Sequence, residues 1–297
     1  MRIVDAHHHI WDPGANPHPW LSGPAIPFRY GDYTAIRGPF VWPDYDEVSR
    51  GWDVAASVTM EGEWDPSDAL GEARWLSSLA AQEGRPAAHA AQAWLDAPDV
   101  GEVLSAYGAM PLVWSVRHKP RANPAPGGAP GGMTDPAFRH GFALLARHGL
   151  MFELQTPWWH LDEAIALAGT APDVTIILNH TGLPADRSTK GLAEWRVAMK
   201  RFARVENVAI KISGLGLAGG GWDPSSNREI IRETIRLFGA GRCMFASNFP
   251  VDGLCATFDQ IWTGFDEATA DLPETDRAAL FRDTAARIYR LDLEDDI

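Results

Sequence analysis

The chain predicts a single (β/α)8 barrel, and three observations carry that prediction. Eight short apolar runs rich in β-formers alternate with segments of helical periodicity. Nearly every run ends on polar or titratable side chains, as expected where parallel strands open onto one shared mouth. A length of 297 residues suits one such barrel. An open doubly wound sheet is the competing arrangement, but no glycine-rich fingerprint follows any strand.

The strands are expected at residues 3–5, 54–60, 87–94, 112–117, 151–155, 175–178, 208–212 and 243–246. Helices are expected at 66–82, 99–107, 136–148, 161–168, 192–204, 228–238 and 256–269, with a last one at 274–289. Asp65 and Pro66 read as the cap and first turn of the first of these. Two stretches break the rhythm. Residues 13–53 hold seven prolines up to Pro43, and residues 120–132 are rich in proline and glycine. Both follow strands, so both read as long loops covering the mouth rather than as linkers. No repeat or second domain is evident, and residues 1–297 read as one unit.

Composition limits the partners. Against 26 basic residues stand 39 acidic ones, a formal charge of −13, which disfavours nucleic acid and anionic membrane. A short acidic cluster at the C-terminus (Asp292, Glu294, Asp295, Asp296) reads as a solvated tail. Two cysteines, Cys243 and Cys255, suggest neither a disulfide scaffold nor a zinc–thiolate site. With no charged-then-apolar leader and no run of about 18 apolar residues, a cytoplasmic setting is expected. Several of the 13 tryptophans fall in expected loops. They either pin those loops to the core or face a pocket for a flat or cyclic ligand, and they would permit a homodimer.

The densest chemistry follows the first strand, in Asp5-Ala6-His7-His8-His9-Ile10-Trp11-Asp12. Side chains two apart on an extended strand share a side, so His7 and His9 aim together while His8 faces away. Two imidazoles at a strand's C-terminal end can hold a divalent metal or polarise a carbonyl. His180 ends another apolar strand before a glycine turn and becomes the third ring of one cluster. The other strand ends contribute Glu61, Arg117, His118 and Lys119, then Glu153, Gln155, Asn179, Lys211, Ser213, Ser247, Asn248 and Asp252.

Arg117 and Lys119 fall on one side of their strand, and Arg187 follows the sixth. Cations at the mouth of an acidic protein point to a small anionic substrate, since guanidinium matches carboxylate as a fork. Lys211 should point into the barrel with Glu153 as its counter-charge. That pair is either a structural salt bridge or part of the chemistry.

These motifs resemble the amidohydrolase superfamily. Asp5-Ala6-His7-x-His9-Ile10-Trp11-Asp12, Asn179-His180-Thr181-Gly182 and Met244-Phe245-Ala246-Ser247-Asn248-Phe249-Pro250 are similar to its strand-one, strand-six and strand-eight signatures. The similarity is greatest to the branch of lactonases acting on 2-pyrone-4,6-dicarboxylate and on L-fuconolactone. It implies a distorted barrel that opens lactones or related carboxylic esters. It implies that His7, His9 and His180 hold one divalent ion, zinc or manganese, or without metal polarise the scissile carbonyl. Strand five offers no histidine, so a two-metal site is not expected.

Strand eight departs from the family. Ser-Asp-x-Pro is usual there, with aspartate as general base, and this chain has Ser247-Asn248-Phe249-Pro250. An amide cannot take a proton from water. Asp252 or Glu153 then serves as base, or a metal acidifies the water while Asn248 orients it, or hydrolysis is lost. The favoured reading is a hydrolase in which Arg117, Lys119 and Arg187 grip a substrate anion and Trp158 or Trp11 covers its ring. The rivals are a metal-dependent non-oxidative decarboxylase of an aromatic acid and a non-catalytic ligand-binding barrel.

Overall fold

In a computed structural model describing residues 1–219 and 221–293, eight parallel strands follow one another around the sheet in chain order. They are β1 (Arg2–His8), β2 (Asp53–Met60), β3 (Ala88–Gln92), β4 (Val113–His118), β5 (Met151–Leu154), β6 (Ile176–Leu178), β7 (Val208–Ile212) and β8 (Cys243–Phe245). Helices separate them, so the (β/α)8 architecture is present and the open sheet is not. Glu294, Asp295 and Asp296 of the expected acidic tail lie outside the described residues.

Strand alternation divides the apolar side chains between two cores. Val4, Ala6, Val58, Ala88, Ile177, Ala209 and Met244 fill the barrel interior, which Ala285 and Tyr289 of the last helix close from below. Their neighbours Ile3, Val116, Phe152, Ile176, Ile210 and Phe245 pack outward against the helices. Lys211 shares the inward side with Ala209, so Ile210 and Ile212 face outward.

β8 and β1 meet across a seam rather than a full ladder. The Asn248 amide donates to the His7 carbonyl at 2.7 Å, and His9 donates to the Phe249 carbonyl at 2.7 Å. The Asp5 carboxylate reinforces this, accepting from the Ser247 backbone (2.9 Å), the Ser247 hydroxyl (2.6 Å) and the Tyr45 hydroxyl (2.9 Å).

Some elements differ from expectation. The proline-rich stretch after β1 contains a helix, Trp42–Ser49, because Pro43 sits in its first turn and Asp44 accepts the Val41 N–H. The helix expected from residue 66 starts later, at Gly71, since Asp65 instead closes a local turn by accepting from Ser67. The final helix is interrupted by a π-helical turn, Ala279–Asp283, that seats Phe281 against Phe245 and Trp262. No helix among the described residues is long and apolar enough to cross a membrane.

Candidate active site

β1 carries a bulge that aims the histidines. Its pairing to β2 slips between Asp5 and His8, three steps on β1 matching two on β2. Strict alternation from Val4 would turn His7 outward, and the extra residue turns it in. His7 lies 4.7 Å from His180 and 5.3 Å from His9 between ring centroids. His8 faces the other way and packs at 4.4 Å on Tyr45.

Two of the rings at the mouth, His9 and His180, are held through Nδ1. His9 Nδ1 lies 3.2 Å from the Met60 carbonyl, an acceptor only, so Nδ1 donates and Nε2 carries a lone pair. His180 Nδ1 meets the Ser213 hydroxyl at 2.9 Å. Both nitrogens of His7 are buried with no partner. Burial first, then the neighbouring cations, holds all three rings well below the usual imidazole range, so they are neutral.

Backbone strain places His180. It has φ 54° and Thr181 φ 52°, left-handed values that a β-branched residue rarely adopts. Gly214 (φ 63°) passes so close that a Cβ there would stand 2.5 Å from His180 Nδ1.

Asn248 sits beside these rings, also left-handed at φ 55°. Its amide group donates to Asp252 Oδ1 at 2.7 Å, and a carboxylate only accepts. The Asn248 oxygen is thereby left as the group facing the cavity. Tyr30 donates to the same Asp252 oxygen at 2.8 Å. Burial raises the Asp252 carboxyl against the opposing pull of Arg29, Asn248 and Tyr30. Asp252 stands behind Asn248 and does not line the cavity.

The cavity above holds about 60 Å3, with His9, His180 and Asn248 in its lining and Trp11 and Trp20 among its walls. Arg29, Arg117 and Lys119 also line it, as do Glu61 and Glu63, three cations against two carboxylates. Arg117 is buried and bonds Glu61 Oε1 at 2.5 Å, while Lys119 pairs with Glu63. Burial pushes the Glu61 carboxyl up, but Arg117 and Lys119 outweigh it and hold it below its usual range.

Several predicted site residues lie elsewhere. Glu153 is deeper in the barrel, where it accepts from Lys211 (2.9 Å), Asn179 (2.6 Å) and Tyr289, and it does not line the cavity. Its short side chain is spent on Lys211, whose ammonium is pushed down to about 8 by burial despite Glu153. Trp158 packs against Gly182 and the outer core, and its neighbour Trp159 reaches an adjoining cavity instead. Arg187 lines that adjoining cavity, not the one over the histidines. Arg29, Tyr30 and Phe28 enter the site from the proline-rich stretch and carry no periodic signal that would have marked them.

The donor set suits a divalent ion. Three neutral imidazoles, the unpartnered nitrogens of His7 and the carbonyl-anchored ring of His9 are what such an ion requires. The rings are not drawn onto one point, since no group of three His, Cys, Asp or Glu among the described residues is arranged to hold an ion.

A family model described as Amidohydrolase matches residues 4–291. An uncharacterized protein of Sinorhizobium fredii, y4mH, is 38% identical, covering 98% of this chain and 99% of its own. L-fucono-1,5-lactonase of Burkholderia multivorans is 26% identical over 97% of this chain and 96% of that protein. A crystal structure of a Burkholderia multivorans amidohydrolase with bound zinc has a TM-score of 0.80 at 23% identity, covering 98% of this chain and all of that one. With a bulged first strand bearing paired histidines, a third at β6 and a family match spanning nearly its whole length, this chain belongs to the amidohydrolase family, which supports a hydrolase.

Proposed function

We propose that the protein opens a lactone or related carboxylic ester of a small molecule bearing a carboxylate. The observation that carries this reading is the meeting of His9, His180 and Asn248 at one cavity whose lining has an excess of cations. The lactonase named among the relatives supports the reaction class.

The chain's own groups divide the work. Asn248, its amide fixed by Asp252, accepts a hydrogen bond from the attacking water through its oxygen and so aims the water at the carbonyl. Asp252 is thus a positioning residue. Arg29 and His180 face the oxygen that gains negative charge as water adds. A divalent ion held by His7, His9 and His180, zinc or manganese, would supply Lewis acidity toward that oxygen. In a site without an ion, the water's proton passes to the lone pair on His9 Nε2. The acyl C–O bond then breaks, the leaving oxygen takes that proton back from His9, and the resulting hydroxy-acid loses its carboxyl proton to solvent as a hydroxy-carboxylate. So weak a base suits an activated carbonyl, such as an aryl or strained cyclic ester.

The reading extends to a single barrel unit acting on small anionic molecules in the cytoplasm, with no nucleic-acid or membrane partner. The test offers carboxylate-bearing lactones to the purified protein with zinc, with manganese and after chelation. Product mass and proton release are followed. Gain of one water with acid release is expected. Carbon dioxide release would establish the decarboxylase instead. A bound acid or lactone persisting unchanged for hours with metal supplied would establish the binding barrel, which Asn248 in place of a carboxylate favours.

A further inference from the structure

The cavity over the histidines is too small for a whole ligand. At about 60 Å3 it admits a reacting group and water. A second cavity of about 580 Å3 adjoins it, and Arg29 and Gln155 line both. That volume is within the range of small-molecule sites, roughly 300–1,000 Å3. The two differ in charge. Cations facing the small cavity are countered by Glu61 and Glu63, whereas the large one is lined by Arg29 and Arg187 with no carboxylate.

Arg187 is unfinished there. Its Nη2 donates to the Leu215 carbonyl (3.1 Å) and to Asn227 Oδ1 (3.2 Å), while Nε and Nη1 are buried without a partner. Burial lowers this guanidinium to about 10, an effect that Tyr30 and the more distant Asp223 and Glu229 offset only in part. Burying a guanidinium without an ion pair is costly, and a carboxylate seated in the cavity would offset that cost through its charge. Trp159, Pro157, Leu183 and Leu217 add apolar surface to the same lining.

We infer that this adjoining cavity is a carboxylate subsite, seating the far end of an elongated substrate whose apolar arm links its carboxylate to the reacting carbonyl. The inference rests on the hydrolase reading for the role of the inner cavity. It narrows the substrate class to esters or lactones carrying an acid on an arm, and it assigns the anion grip to Arg187 with Arg29.

Calorimetric titration with adipate and with hexanoate tests it, because neither ligand reacts. Adipate carries an acid at each end and hexanoate at one. The wild-type protein should bind adipate at least about tenfold more tightly, the order expected for one buried charge-assisted contact. Arg187→Met should abolish that preference. Ala185→Glu should also abolish it, since exposed Ala185 lines the same cavity and tolerates a new charge without disturbing the core. Equal affinities in the wild type, or a preference surviving both variants, would overturn the subsite. Failure to open any lactone would sink the hydrolase reading while leaving this binding comparison intact.

Discussion

Two clusters of buried titratable groups share the barrel interior and are completed differently. Deep in the barrel, Lys211 and Glu153 meet at 2.9 Å, and Asn179 and Tyr289 also donate to the carboxylate. At the mouth, His7 has no partner on either nitrogen, and the Nε2 of His9 presents a lone pair to a cavity. The ion pair of the first cluster is closed by the protein alone, as a buried ion pair must be. The second is left open, and an open polar cluster in a close-packed interior is the mark of a ligand. Burial alone therefore does not separate structure from function here, and neither does partnering alone, since His8 is as unpartnered as His7 yet packs on Tyr45; open nitrogens gathered beside a cavity do.

Substitutions should break the two clusters differently. His180→Ala should lower kcat/KM for lactone opening by at least about 10²–10³-fold, the scale of losing one transition-state donor, while circular dichroism reports an unchanged fold. Unaltered turnover would remove His180 from the site. Lys211→Met should act on stability instead, costing about 3–5 kcal/mol in denaturant unfolding because Glu153 is stranded. Pairing it with Glu153→Gln should recover much of that loss. If the double variant is as unstable as the single, the pair is not the closed unit described.

Smaller effects sharpen the contrast. Asn248→Ala should reduce kcat by up to about 100-fold, as misaimed water does, with KM nearly constant. A change confined to KM would make Asn248 a binding residue. The smallest expected effect is an absence. His9 and His180 are held well below 6.5 chiefly by burial, so they take up protons only in more acid solution. Lowering the pH from 7 to 6 should leave both neutral, and any acid limb there should follow Asp5, whose carboxyl burial raises to about 6. An acid limb near 6.5 that persists in Asp5→Asn would show an ordinary, solvated imidazole at work.

Much of this was legible before the structure, for a stated reason. Strand ends occupy fixed places in a parallel barrel, so His7, His9, His180 and Asn248 could be gathered from their positions in apolar runs. Lys211 and Glu153 paired as their alternation implies. What sequence could not show was set by irregular backbone. The bulge in β1 is invisible to a period-two pattern, and Arg29 and Tyr30 lie in a stretch with no period. A short 3-10 turn, Trp158–His160, chooses which of two adjacent tryptophans faces the larger cavity. Arg117 and Lys119 looked like free cations because their partners, Glu61 and Glu63, come from a different strand end.

The seam between β8 and β1 joins the last strand of the barrel to the first. Two backbone links there run from the Asn248 N–H to the His7 carbonyl and from the His9 N–H to the Phe249 carbonyl, so the Asn248 segment and the histidine segment are fastened to each other directly. Barrel closure and site assembly are then one event. A chain still missing its eighth strand during synthesis would own every histidine and the anchors of His9 and His180, yet lack Asn248 and the links that fasten it to the first strand.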